Sequence, residues 1–182
     1  MLTLKLKFNT GAYTFSLGVE DTEVTYAERE YNIEVTEELH IVTQSVDLPR
    51  GTQGQDFFQG IEAAGGKEPY SFAKASGNLP DGMSIDSDGS LTGSPQEIGA
   101  FDFSVQVSDH SGRSAERSFH LEIVPDLNIG TSQLKDAIVG DAYNQSLSAS
   151  GGYGDYQWQV YSGTLPDGLN LDSNSGVLSG TP

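Results

Sequence analysis

The sequence has no cysteine among its 182 residues, which excludes a disulfide framework, a cysteine-ligated zinc site and a thiol nucleophile. Stability must come from packing and hydrogen bonds alone. Basic residues are scarce: nine Lys and Arg stand against 26 Asp and Glu, for a formal net charge of -17. A surface of that sign repels phosphate, so nucleic acid and anionic membranes are excluded as partners. No apolar run approaches the ~20 residues of a membrane-spanning helix. His40, His110 and His120 lie on separate segments, without a partner two or four positions away. There is no G-x-S-x-G elbow and no glycine loop with a phosphate-binding lysine. Met1 to Phe8 alternates Leu2, Leu4, Leu6 and Phe8 with Thr3, Lys5 and Lys7. That is a strand pattern, not the core of a signal peptide, so an export signal would lie outside this sequence.

What is present is glycine, proline and repetition. The chain holds 22 Gly and 7 Pro but only two Met, a balance that favours short strands and tight turns over helices. Gly11-Ala12-Tyr13-Thr14-Phe15-Ser16-Leu17 recurs as Gly99-Ala100-Phe101-Asp102-Phe103-Ser104-Val105, 88 positions on. Ala27 through Val35 falls on Ala115 through Ile123 at the same spacing. A different block, Gly65-Gly66, Tyr70, Phe72 and Leu79-Pro80-Asp81-Gly82, returns 86 positions later as Gly151-Gly152, Tyr156, Trp158 and Leu165-Pro166-Asp167-Gly168. It closes with Leu91-Thr92-Gly93-Ser94-Pro95 against Leu178-Ser179-Gly180-Thr181-Pro182. These are two halves of one repeating unit. The chain therefore divides into a second half at 1–43, a complete repeat at 44–126 and a first half at 127–182.

Within the complete repeat, apolar residues alternate at Phe101, Phe103, Val105 and Val107 and again at Phe119, Leu121 and Ile123. Gln59, Asp102, Ser104, Gln106, His120 and Glu122 are left to face water. Leu79-Pro80-Asp81-Gly82 and Asp86-Ser87-Asp88-Gly89 read as turns, because proline fixes one φ, aspartate bonds its own backbone and glycine takes positive φ. Short strands at this density in under 100 residues predict an antiparallel two-sheet β-sandwich. Trp158 shares a strand face with Tyr156 and Val160, which predicts a core position.

The ordered set Gly65-Gly66, Pro69-Tyr70-Ser71-Phe72, Leu79-Pro80-Asp81-Gly82-Met83-Ser84-Ile85-Asp86, Leu91-Thr92-Gly93-Ser94-Pro95 and Gly99 to Asp109 resembles an immunoglobulin-like repeat family of bacterial surface proteins. It also resembles that family's relative, the dystroglycan-type cadherin-like domain. The resemblance covers nearly the whole chain apart from Met1 to Asn9. It implies an all-β fold: tandem immunoglobulin- and cadherin-like antiparallel β-sandwiches, one complete repeat flanked by two complementary half repeats. It also implies an extracellular or cell-surface location, a role in adhesion, spacing or carbohydrate-associated binding, and no catalytic residues.

Cadherin relatives clamp Ca²⁺ between successive domains, and against their pattern Glu97, Asp109, Asp126 and Asn128 are the candidate ligands, with Asp21 matching Asp109 in the other copy. Where cadherins place a D-x-D pair the chain has Ala63-Ala64-Gly65-Gly66. At least two oxygens are thus missing from the six to eight that Ca²⁺ takes. Tyr143, Tyr153 and Tyr161 are candidate edge aromatics for glycan contact, and Asn144-Gln145-Ser146 fits a glycosylation sequon. The expected function is a non-enzymatic structural and adhesive module whose partners are neighbouring copies or repeats of the same protein. The alternative is a module that binds surface carbohydrate or protein, with or without Ca²⁺. The outer halves either complete one another between chains as head-to-tail filaments, or belong to sandwiches whose other halves lie elsewhere in a longer array.

Overall fold

The computed structural model describes residues 9–23 and 25–182; the strand expected over Met1 to Phe8 lies outside them. The longest elements are those whose sequences alternate. β1 (Gly11–Glu20) and β2 (Tyr26–Val35) form a two-stranded antiparallel hairpin. The middle of the chain supplies β3 (His40–Ile41), β4 (Gly51–Thr52), β5 (Phe57–Gly60), β6 (Ala63–Ala64), β7 (Ser71–Gly77), β8 (Met83–Ile85), β9 (Ser90–Gly93), β10 (Gly99–Ser108) and β11 (Ser114–Val124). The remainder carries β12 (Asn128–Ile129), β13 (Tyr143–Ser146), β14 (Ala149–Ser150), β15 (Leu169–Leu171) and β16 (Val177–Gly180).

β3 to β11 build a sandwich. One sheet runs β4-β11-β10-β7, antiparallel except for the parallel pairing of β4 with β11, and the other runs β5-β9-β8. A short β3–β6 pair adds to the structure. The alternation of β10 and β11 points Phe103, Val105, Val107, Phe119, Leu121 and Ile123 inward, where they meet Leu91 of β9 and Phe57, Ile61 and Phe72. Leu39 and Ile41 pack into the same core. Gly82, at φ 85°, closes the Pro80 turn, where Met83 N donates to Pro80 O at 3.1 Å. A Cβ there would fall 2.4 Å from Ser94 O, so only glycine fits.

Ser104 departs from its expected place in water: it is buried. Its strand is flanked on both sides, so its short side chain lies beneath its longer neighbours. Ser118, directly opposite, supplies a 3.0 Å hydroxyl contact that satisfies it.

Residues 127–182 repeat part of this plan. β12 pairs β14 as β3 pairs β6, and β13-β16-β15 reproduces the order β5-β9-β8, with Leu171 opposite Leu178 as Ile85 is opposite Leu91.

Candidate functional site: uncovered faces and turn carboxylates

β1 and β2 reproduce the β10–β11 hairpin pair for pair. Tyr13 lies opposite Ile33, Phe15 opposite Tyr31 and Leu17 opposite Arg29, where the sandwich has Phe101–Leu121, Phe103–Phe119 and Val105–Arg117. The ring stacking is repeated too, with centroids 6.0 Å apart for Phe15–Tyr31 and 5.8 Å for Phe103–Phe119. The two hairpins differ in what lies over them. Val105 and Leu121 are 0% exposed, whereas their counterparts Leu17 and Ile33 are 59% and 51% exposed. Alternate side chains of paired strands share a face, so the hairpin presents a continuous apolar surface.

Residues 127–182 show the complementary lack. Leu127 and Ile129, counterparts of the buried Leu39 and Ile41, are exposed. Trp158, expected in a core, is half-buried, seated against Gly176 in an open groove that Leu147, Ala149 and Tyr156 also line.

The carboxylates at the strand ends hold turns. Asp109 is buried, and its Oδ1 accepts the N–H groups of Ser111 and Arg113, each at 2.9 Å. Its Oδ2 accepts Lys67 N at 3.0 Å together with Nε and Nη2 of Arg113, both at 2.9 Å. Burial pushes this carboxyl up, but the backbone N–H groups of Arg113 and Lys67 and the Arg113 charge together hold it below the usual carboxylate range. Asp21 takes Glu23 N at 2.9 Å and Thr25 N at 2.8 Å. The Thr25 N–H is foremost in holding it low as well. Asp172 is lowered by Ser175 and Asn174, and Asp88 by Ser90.

The four calcium candidates fall at two ends of the sandwich. Gly99 lies opposite Ile123, so Glu97, Asp126 and Asn128 follow or precede one end of the β10–β11 pair, and Asp109 sits at the other. Ten residues of strand put roughly 30 Å between those ends. Glu97 lies beside Asp81, whose side-chain hydrogen bond and negative charge push the Glu97 carboxyl up. Asn128 pairs with Ser150 in the β12–β14 ladder. Among the described residues, no three His, Asp or Glu gather as a metal site.

A joint between units emerges that the sequence alone did not disclose. Lys67 Nζ meets Glu34 Oε2 at 2.6 Å, joining the sandwich to the hairpin. At the equivalent positions 88 and 86 residues on, Glu122 and Tyr153 are bridged by Arg50, whose Nε is 2.6 Å from Glu122 Oε2 and whose guanidinium lies 3.6 Å over the Tyr153 ring. No local pattern singles out Arg50; only folding brings it there.

A family model described as Putative Ig domain matches residues 40–124 and again residues 126–182. No curated protein matches the chain. Among solved structures, extracellular domains 3-5 of Drosophila OTK are similar at 14% identity and a TM-score of 0.46, over 92% of this chain and 60% of that one. An I-band fragment of titin is similar at 14% identity and a TM-score of 0.45, over 96% and 65%. The extracellular domain of protocadherin GammaB4 is similar at 13% identity and a TM-score of 0.42, over 93% and 34%. The chain thus spans less than two thirds of the length of each.

Proposed function

Because the chain belongs to the family described as Putative Ig domain, we propose that it is a non-catalytic structural and adhesive module of the cell surface or extracellular space, whose outer segments complete one another between neighbouring copies. In this reading the β1–β2 hairpin of one molecule and residues 127–182 of the next form a further sandwich.

The observation that carries this reading is the fate of the core residues. Leu39, Ile41, Phe57, Ile61, Phe72 and Leu91 of the buried cluster have apolar counterparts in Leu127, Ile129, Tyr143, Leu147, Trp158 and Leu178. The other members of that cluster, Phe103, Val105, Val107, Phe119, Leu121 and Ile123, have theirs in Phe15, Leu17, Val19, Tyr31, Ile33 and Val35. Each set is one side of a core, and together they amount to a whole one. All six hairpin counterparts are exposed, whereas in residues 127–182 Leu127 and Ile129 are exposed, Tyr143, Leu147 and Trp158 are half-buried and Leu178 is buried; exposed apolar faces mark contact surfaces. Because the two faces differ, the contact is heterologous and propagates head to tail.

The non-catalytic part of the reading is supported by how the titratable groups are used. Asp21, Asp88, Asp109 and Asp172 depart from the ordinary range because they hold their own turns. The surface location is supported by the acidic, cysteine-free composition and by the sandwich architecture common to many cell-surface domains. No helix among the described residues is long and apolar enough to cross a membrane.

Sedimentation velocity on the 182-residue polypeptide tests the exchange. The weight-average mass is expected to rise with concentration over roughly 1 µM to 1 mM, the span of weak to moderate affinities. A species that stays monomeric throughout would overturn the exchange and assign each uncovered face to some other segment.

A further inference from the structure

Two junctions between units lie inside the chain, one between β2 and β3 and one between β11 and β12, and both are built on the same plan. In the first, every residue from Thr36 to Leu39 is engaged. Thr36 Oγ1 accepts Nη2 of Arg113 at 2.9 Å, Glu37 O accepts Gly66 N at 2.8 Å, Glu38 O lies against Gly65, and the Leu39 side chain is in the core. In the second, Pro125 O accepts Gly152 N at 2.8 Å, Asp126 O lies against Gly151, and Leu127 lies against Gly152. Loop and linker approach so closely that a Cβ on Gly65 would run into Glu38 O and one on Gly151 into Asp126 O. Only glycine, here at φ 74° and 79°, permits this. The glycine-pair loop is braced in turn: the Tyr70 hydroxyl donates to Gly65 O at 2.6 Å and that of Tyr156 to Gly151 O at 3.0 Å.

We infer that these junctions are stiff joints rather than hinges, so that successive units keep one orientation and the chain acts as a rod that holds what it carries at a fixed spacing. Both junctions are internal to the chain, so their stiffness does not depend on whether copies exchange halves. A hinge needs a few residues free to absorb a change of φ and ψ, and a flexible linker is rich in Gly and Ser. Thr36 to Leu39 and Pro125 to Leu127 contain neither, and their backbone is clipped by the second glycine of the pair. A charged contact beside the clip makes a second point of attachment. In the first joint Lys67 supplies the cation to Glu34. In the second, Tyr153 stands at the position of Lys67, and the cation comes instead from Arg50, which joins Glu122 to the Tyr153 ring. The side chains differ while the bridged positions are the same, so the contact is not a mere by-product of the repeated sequence. Two attachments at separate points oppose rotation about either one.

The absence of native cysteine allows spin labels to be placed at chosen sites. In the full chain, Gln106→Cys with Asn170→Cys puts exposed labels on strands either side of the second joint, and Ser84→Cys with Gln106→Cys puts both within the sandwich. Labelled chains are diluted in an excess of unlabelled parent, so that electron double resonance reads distances within one chain. The pair across the joint is expected to give one distance peak, no broader than the pair within the sandwich. Arg50→Gln, at an exposed position, should keep the native circular dichroism while removing one ion pair and one cation–π contact. It is expected to lower the ratio of the main peak to other distances by about threefold to thirtyfold. Gly151→Ala, which forces the loop off the linker, should broaden the distribution further. Sodium chloride at about 1 M screens exposed charges and should reproduce part of the Arg50→Gln broadening in the parent, whereas chelator should leave the width unchanged. A parent distribution broader than the sandwich control overturns the stiff joint. A narrow one that survives both Arg50→Gln and Gly151→Ala overturns the assignment of stiffness to these contacts, and a width that changes with chelator overturns the role of the side-chain cations.

Discussion

Asp109 and Asp21 occupy the same position of the same turn and accept the same pair of backbone N–H groups, yet only Asp109 also takes Lys67 N and the Arg113 guanidinium. The guanidinium is a difference of sequence, since Thr25 stands at the position matching Arg113, whereas Lys67 N comes from the loop between β6 and β7, the strand that flanks β10. An aspartate whose folded-state pKa is lowered stabilises the fold above its unfolded value of about 3.9, and that contribution is lost as pH falls through the folded value. Asp109→Asn should therefore lower the melting temperature at pH 7, because an amide cannot accept from all these donors without its own NH₂ being set against them. The gap between variant and parent should stay constant down to about pH 5 and narrow below the carboxylate range, as the parent carboxylate protonates. Thermal melts from pH 7 to pH 2.5 check this, and a gap that widens in acid would contradict it. Glu97 is the opposite case: Asp81 beside it raises its carboxyl, as one of two neighbouring negative charges gives way.

At the level of elements, the two hairpins form an internal experiment, with the same register and pattern but different surroundings. Leu121→Ala in β11 removes a side chain with no exposure from a filled core and should cost about 2–5 kcal/mol in denaturant unfolding of the sandwich. Ile33→Ala in β2, at the matching position, removes a half-exposed side chain. It should change that unfolding by less than about 0.5 kcal/mol. Its effect should instead appear in sedimentation, as a loss of association at concentrations where the parent assembles. Equal destabilisation by both variants would show that the hairpin is already covered within its own chain. The joints between units follow from the same equivalence. A carboxylate at the end of the hairpin, Glu34 or Glu122, is met by the next glycine-pair loop, directly through Lys67 or by way of Arg50 and Tyr153. Exposed pairs of this kind contribute at most about 1 kcal/mol each. They orient neighbouring units more than they stabilise them.

For the whole molecule, the net charge of -17 makes cation binding the natural question about its surface. Asp109 has its oxygens engaged by backbone and Arg113, at the end of the sandwich away from Glu97, Asp126 and Asn128. Millimolar Ca²⁺ is therefore expected to leave the melting temperature within about 1 °C of its value in chelator, since a ligand that binds neither state selectively shifts nothing. A rise of several degrees that disappears in the Glu97→Gln variant would instead place an ion at the Glu97 end. Much of this architecture could be read from the sequence. The repeats at 88 and 86 positions, the alternation of Phe103 and Val105 with Asp102 and Gln106, and the Pro80-Asp81-Gly82 turn are local patterns, and side-chain direction along a strand is a local property. What the linear pattern could not convey is what lies over each element. Leu121 and Ile33 read alike, Ser104 reads as a surface residue, Asp109 reads like any loop carboxylate, and Arg50 carries no signal at all. Amino-acid order alone thus determined the strands, the turns and which face of each is apolar, because those depend on neighbours along the chain. Only the tertiary structure decided which apolar faces are buried, which are exposed and which carboxylate is enclosed, because burial is a relation between segments far apart in sequence.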